Sequence, residues 1–172
     1  MATAPSDGYI YLIESDAVRN ADWVTASADP QNIDLDLYTQ GTEYCRLNFP
    51  KQWNKRGTTG INIEDASSGK SFMERTSRKG YIITIQDVET TGTNASYIEQ
   101  FIMDDDHTAS LPATFKQYYL IMQRSSTDYE KFTDASDNRQ EFCKGAIIDW
   151  DFTWNDTQNN LCKVRLVFRS NW

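Results

Sequence analysis

The residues best suited to chemistry in this 172-residue chain are Asp104, Asp105, Asp106 and His107. Clustered carboxylates are the ligands that calcium and magnesium prefer. However, the ligand spacing of an EF-hand is missing here, and no second acidic cluster lies nearby in the sequence. A solvated acidic turn is the simpler interpretation, and we expect no metal.

Catalytic patterns are also missing from the sequence. A nucleophilic triad needs a histidine base, and the only histidine of the chain, His107, follows the aspartates. The segment at 68–71 (SGKS) lacks the upstream glycine of a phosphate-binding loop. Acidic residues are numerous, but nothing in their spacing selects a glycosidase pair. We therefore expect no enzyme, no catalytic residue and no cofactor.

Three cysteines, Cys45, Cys143 and Cys162, lie far apart in the sequence. With no CxxC pair and one histidine, a zinc site has too few ligands. Cys143 and Cys162 flank a predicted turn and could face one another. The odd count favours reduced, packed thiols instead.

Composition narrows the classes of protein that remain. The net charge of −8 argues against a general nucleic-acid binder, which needs clustered lysine and arginine. The length fits one domain over residues 1–172, and 13% aromatic residues favour sheets with large cores or interfaces. The start of the chain lacks the basic and apolar regions of a signal peptide, and no apolar run reaches the ~20 residues that span a bilayer. We expect a soluble protein made in a cytoplasm, without a membrane partner.

The last thirty residues carry the clearest structural pattern. Apolar and polar residues alternate on both sides of a polar turn at 155–160, which predicts a long β-hairpin with an aromatic inner face. The inner positions are Ile148, Trp150, Phe152 and Trp154 in the first strand and Val164, Leu166 and Phe168 in the second.

The outer face of this hairpin is charged. It carries Asp149 and Asp151 on one strand and Lys163, Arg165 and Arg169 on the other. Opposite charges on neighbouring strands help to fix the register, at about 0.2–1 kcal/mol for each pair. The face is either an ordinary solvated surface or a contact with another copy of the chain.

The remaining elements are predicted to be mainly strands. We expect strands at 8–14, 81–88 and 114–124, and a hairpin of 33–38 with 43–49 in which Ile33, Leu35 and Leu37 point inward. An amphipathic helix is predicted at 94–106, capped by Thr93 or Asn94. The fold class is therefore mainly β, a β-sandwich or partly open barrel with one flanking helix.

Residues 50–70 are predicted to form an extended loop. Pro50 ends the preceding strand, and the stretch that follows is locally basic. Unstructured connections of this length are usually functional or disordered. Trp53, flanked by Lys51, Lys55 and Arg56, has the composition of an interface anchor. A mobile surface loop with one partly packed tryptophan is the alternative.

The order of these elements resembles that of the tail tube proteins of tailed phages and of related contractile injection systems. The closing segments at 145–152 and 163–168 are similar to the final hairpin of that family. The resemblance implies a β-sandwich that forms stacked hexameric rings, with strands of each subunit in an inner barrel. DNA would pass through without specific binding, past a lumen of acidic charge.

The resemblance also implies partners and a location. The subunit would contact copies of itself and other tail proteins, in a virion tail assembled in the host cytoplasm. The loop at 50–70 would reach the neighbouring ring. Another tail ring protein, a terminator or baseplate component, fits the same pattern.

A carbohydrate- or ligand-binding β-sandwich module is the alternative from another class. Trp53, Trp150 and Trp154 would form its sugar platform. Oligomeric state separates the tail protein from the sugar-binding module, since a sugar-binding module is typically a monomer. A long terminal hairpin with open edges favours pairing with identical neighbours.

Overall fold

The computed structural model describes residues 8–14, 35–65, 71–103, 117–125, 127–134, 138–155 and 161–170. This part of the chain is mainly β-structure with a helix and a short 3-10 turn at Leu35–Leu37. The helix is α1 (Gly92–Met103), and the strands are β1 (Tyr9–Glu14), β2 (Tyr44–Asn48), β3 (Gln52–Asp65), β4 (Ser71–Thr91), β5 (Tyr118–Ser125), β6 (Asp128–Tyr129), β7 (Phe132–Thr133), β8 (Arg139–Gln140), β9 (Cys143–Asn155) and β10 (Leu161–Ser170).

The strands form one large sheet in the order β2-β1-β5-β9-β10-β4-β3, and every neighbouring pair is antiparallel. β6 pairs with the end of β5, and β7 and β8 form a small sheet of their own. The large sheet curls, and Asn48 at the end of β2 donates to the carbonyl of Glu89 on β4 at 3.0 Å. It is not closed into a barrel, which agrees with the predicted mainly β, sandwich-like class.

The core lies between the two halves of this curled sheet. Leu12 of β1, Leu120 of β5, Leu166 of β10 and Phe101 of α1 are fully buried in one cluster. A second cluster covers the other face of β1 and β5, where Tyr11 is buried. β1 is therefore apolar on both faces, which is why its sequence is a continuous hydrophobic run.

Helix α1 confirms the predicted helix but begins two residues earlier. The side chain of Thr91 accepts from the backbone N–H of Asn94 at 3.3 Å, so the cap is Thr91 rather than Thr93 or Asn94. Ala95, Ile98, Phe101 and Ile102 lie on its buried face. The predicted last turn, at 104–106, lies outside the described residues.

The predicted hairpin of 33–38 with 43–49 is wrong. Residues 35–37 form a 3-10 turn and Leu37 is 55% exposed, whereas residues 33 and 34 lie outside the described part. β2 pairs with β1 instead, with Ile13 opposite Tyr44. The backbone turns tightly through Gly41, at φ 86°, and delivers β2 directly to the apolar edge of β1.

The predicted loop at 50–70 is largely a strand. β3 pairs with β4 from Gln52 opposite Gln86 to Asp65 opposite Ser71. Its glycines and basic residues have low strand propensity, and the long partner strand supplies the ladder that overrides it. Since β4 pairs with β10 only from Ile82 onward, residues 58–65 and 71–80, which we call the arm, pair with each other alone among the described strands.

Candidate interface at two open sheet edges

The terminal hairpin forms as predicted, but its two strands differ in burial. On β10, Val164, Leu166 and Phe168 are each about 1% exposed. On β9, Trp150 and Trp154 are 40% and 49% exposed. The expected inner face is therefore buried on β10, whereas on β9 Phe152 packs against the core and the two tryptophans are open to solvent.

The reason is that β5 accompanies β9 only at its beginning. Leu120 lies opposite Cys143 and Tyr118 opposite Gly145, where the pairing ends. Residues 146–155 of β9, which we call the β9 edge, have no strand beside them in the described chain other than β10. Their backbone groups and aromatic side chains are left at the margin of the sheet.

Exposed apolar side chains concentrate at this margin. Within the described residues, seven large hydrophobic side chains are exposed, and four of them belong to the terminal hairpin. These four are Ile148, Trp150, Trp154 and Leu161. Ile148 lies in a bulge, since β10 steps from Asp149 to Ile147 between consecutive residues. Such a concentration is typical of a surface that another chain covers.

The predicted charged face also forms. Asp149, Asp151, Lys163, Arg165 and Arg169 lie on the outer side of β9 and β10, and the structure brings them together. The Arg165 guanidinium donates to the Asp149 carboxylate at 2.6 Å. All five side chains are at least partly accessible to solvent.

An open polar depression lies on the same outer face. Its lining includes Asp151, Lys163 and Arg165 together with Gln86 and Asp87 of β4. Asp87 has φ 52°, at a bulge where β4 places two residues opposite Arg165. The depression is open to solvent, and the charged side chains that line it are of both signs.

Strand β3 provides a second open edge. Among the described strands it pairs only with β4, and no described strand lies along its other side. Lys51, Gln52, Asn54, Arg56 and Gly57 are exposed along it. We call residues 51–57 the β3 edge. Its exposed charges are basic, whereas those on β9 are acidic.

Two of the predicted anchor residues contact their own chain. Trp53 is partly buried, and the guanidinium carbon of Arg124 lies 5.4 Å from its ring centroid. Lys55 forms an ion pair with Glu130 and donates to the carbonyl of Lys131 at 2.9 Å. Lys51 and Arg56, the other two predicted residues, are exposed. Of the four predicted residues, Trp53 and Lys55 therefore pack against their own chain, whereas Lys51 and Arg56 are open to solvent.

Glu130 is the residue that sequence reasoning missed. It is 9% exposed and forms ion pairs with both Lys55 and Arg124, which joins the β3 edge to the segment after β6. Lys55 and Glu130 are 75 positions apart. No local pattern in the sequence signals such a contact.

The cysteines are free, buried thiols, as the odd count indicates. Burial raises the pKa of Cys45, and burial also raises that of Cys143 against a smaller lowering by Lys55. Within the described residues no group of three or more metal-ligating side chains is present, and the acidic run at 104–107 lies outside them. No helix among the described residues is long and apolar enough to cross a membrane.

Comparison of the chain with protein-family models and with curated protein sequences finds no match. The candidate interface therefore rests on the geometry of the two edges. An open strand edge flanked by apolar side chains binds partners by adding a strand, with main-chain hydrogen bonds supplying affinity and side chains supplying specificity.

Proposed function

We propose that this protein is a structural subunit that assembles with copies of itself into stacked hexameric rings. In this proposal it is a tail tube protein of a tailed virus, located in the virion tail and assembled in the host cytoplasm. The observation that carries it is the β9 edge, where Trp150 and Trp154 are exposed and no described strand other than β10 pairs with the backbone. Other tail proteins would be its further partners.

The physical argument is the cost of leaving such an edge open. Unpaired strand edges are templates for association, and proteins protect them with charge, bulges or pairing. The β9 edge carries half-exposed tryptophans, the residue type most enriched in interface hot spots. Covering them in an assembly removes apolar surface from water and completes the ladder.

The arm supports contact between rings. A two-stranded ribbon is only marginally stable by itself in water, so a protruding one gains stability from a surface to pack on. The arm contains residues 58–65 of the segment 50–70, for which the resemblance to tail tube proteins implies contact with a neighbouring ring. In the proposed tube, the arm of one ring packs on the next ring.

The charged outer face suits a conduit for DNA. On the sector made of β9, β10, β4 and β3, this face carries both signs of charge rather than the acidic charge that the resemblance implies, and it lacks the clustered cations that adsorb phosphate. The acidic residues are Asp87, Glu89, Asp149 and Asp151, and the basic ones are Arg56, Lys163, Arg165 and Arg169. We propose that this face lines the lumen and that DNA passes it without specific binding.

The test combines negative-stain electron microscopy with the mass of the purified protein at rising concentration. Rings or tubes of uniform diameter are expected. Single rings that never stack would assign the terminator or baseplate role instead. A monomer of 19.8 kDa up to the highest soluble concentration would overturn the proposal.

Variants at the aromatic margin sharpen this test. Trp154→Ala is expected to weaken assembly while leaving the monomer folded, because the side chain is 49% exposed. Met103→Ala on α1 is the matched control, since Met103 is 58% exposed and belongs to neither edge. Equal assembly of the two variants would remove the aromatic margin from the interface.

A carbohydrate-binding module is the second candidate, and one observation favours it. Trp150 and Trp154 lie on the same face of β9 with their rings accessible, as a sugar-stacking platform requires. Trp53 does not join them, because it packs beneath Arg124. Binding of glycans by a strictly monomeric protein, lost in Trp154→Ala, would establish this function instead.

A further inference from the structure

We propose that the β9 edge of one copy pairs antiparallel with the β3 edge of a second copy. The inference rests on the proposed ring assembly and names the surfaces that build it. The two edges are the opposite margins of a four-stranded sector, β9-β10-β4-β3. Joining them between copies extends this sector from subunit to subunit as one continuous sheet.

Strand direction permits this joint. Each of the three pairings inside the sector is antiparallel, so β9 and β3, at its two margins, run in opposite directions. When a second copy is placed by rotation about an axis along the strands, its β9 runs antiparallel to the first copy's β3. An odd number of strands would have made this contact parallel.

Charge selects this joint over the symmetric ones. The outer side of β9 presents Asp149 and Asp151, and the exposed residues of the β3 edge include Lys51 and Arg56. Pairing β9 with a second β9 would oppose aspartates to aspartates, and pairing β3 with β3 would oppose cations. Like charges directly opposite one another destabilise a strand pair, whereas opposite charges stabilise it.

Length and shape agree with the joint. The β9 edge spans residues 146–155, and β3 offers Gln52–Asp65, so the β3 edge together with the first residues of the arm is long enough for the whole β9 edge. Gly57 lies on the core side of β3, and a Cβ placed there would have no atom within 4 Å. That space can accept an aromatic ring from the neighbouring β9, because aromatic side chains stabilise strand glycines by covering them.

The joint is head to tail. Each copy pairs its β9 edge with one neighbour and its β3 edge with another, so the contact repeats rather than ending at a dimer. Rotation about the ring axis closes it into a ring. The exposed Trp150 and Trp154 are then covered on the core side, and the charged outer face becomes continuous around the ring.

Charge reversal at each edge tests the pairing. Asp151→Lys and Arg56→Glu are each expected to raise the concentration needed for assembly by about tenfold or more. An equimolar mixture of the two variants is expected to regain assembly, because each contact in an alternating ring is either native or charge-swapped. Arg46→Glu on β2 is an exposed charge reversal on a strand that belongs to neither edge, and it should assemble like the unmodified protein.

The outcomes separate the two proposals. Circular dichroism and thermal melts first show that each variant is folded. If the unmodified protein assembles and either single variant assembles equally well, the pairing of these edges is wrong while the ring stands. Loss in only one variant indicates a symmetric contact through that edge and also overturns it. If the unmodified protein never assembles, the proposed function and this joint both fail.

Discussion

Arg165 on β10 donates a 2.6 Å hydrogen bond to Asp149, although the residue directly opposite it on β9 is Asp151. The arginine reaches diagonally along the ladder, which a long side chain does readily. The Asp151 carboxylate instead accepts from the Thr153 hydroxyl at 3.4 Å and lines the outer depression. The two aspartates therefore differ: Asp149 ties β9 to β10, whereas Asp151 makes no ion pair across these two described strands and stays exposed on the outer face.

Asp149→Ala is expected to lower the free energy of unfolding of the monomer by about 0.5 kcal/mol. The loss is small because both partners are well exposed, with 42% and 57% of their side-chain surfaces accessible. Urea unfolding at low and high salt checks this, and the difference should shrink with salt as the pair is screened. Asp151→Ala is the control, and a salt-dependent loss there of the same size would contradict the assignment.

Glu130→Ala is expected to lower the free energy of unfolding by about 3 kcal/mol. The substitution leaves Lys55 without its carboxylate in a partly buried site beside the rings of Tyr81 and Phe132. Asp128→Ala, which removes an exposed partner of Arg124, should cost about 0.5 kcal/mol. Denaturant unfolding of the two variants measures the difference between these losses. Equal losses would show that the buried Glu130 contributes no more to stability than the exposed Asp128.

The sequence predicts the terminal hairpin and α1 because both depend on local patterns. Alternation defines the strands of the hairpin, and the spacing of Ile98, Phe101 and Ile102 defines the buried face of the helix. The same alternation says nothing about which strand is covered. Exposure of Trp150 depends on where the pairing of β5 with β9 stops, at Tyr118 opposite Gly145, and that is a property of the tertiary structure.

At strand β3, in contrast, the local sequence predicts the wrong secondary structure. Its glycines and basic residues indicate a loop, and its ladder exists because β4 supplies a partner along its length. Once β3 is a strand, alternation directs Trp53 and Lys55 inward and Arg56 outward. The interface anchors predicted from composition therefore lie on two opposite faces of a strand. The loop interpretation could not predict this division.

Gly145→Ala is expected to destabilise the protein by about 3 kcal/mol. Gly145 lies where β9 pairs with both β5 and β10, opposite Tyr118 and Ser170. A Cβ there would overlap the Arg169 carbonyl and approach the Ser170 Cα to 2.7 Å, so backbone must move. Gly57→Ala is the matched strand control, with open space around it, and should change stability by less than about 1 kcal/mol. Thermal unfolding of both variants decides, and similar melting temperatures would contradict the close packing.

The buried thiols predict that stability falls at alkaline pH. Burial raises the pKa of Cys45 and of Cys143 in the folded protein above the ordinary value of 9.0. Below pH 9.0 each thiol is protonated in both the folded and the unfolded chain, and the stabilisation is fully present. Above it, the unfolded chain releases protons that the folded chain keeps, so stability is lost as pH rises, by up to about 1.4 kcal/mol per pH unit for each thiol.

Urea unfolding in a reducing buffer between pH 9.0 and 10.0 measures this slope. Cys45→Ala should be less stable than the unmodified protein but show a shallower fall with pH, since one titrating thiol has been removed. Tyr44→Phe is the control, because burial raises the pKa of Tyr44 from 10.0 and its contribution to the slope therefore begins only above this window. If Cys45→Ala keeps the full slope between these pH values, the buried thiol is not the source of the alkaline loss.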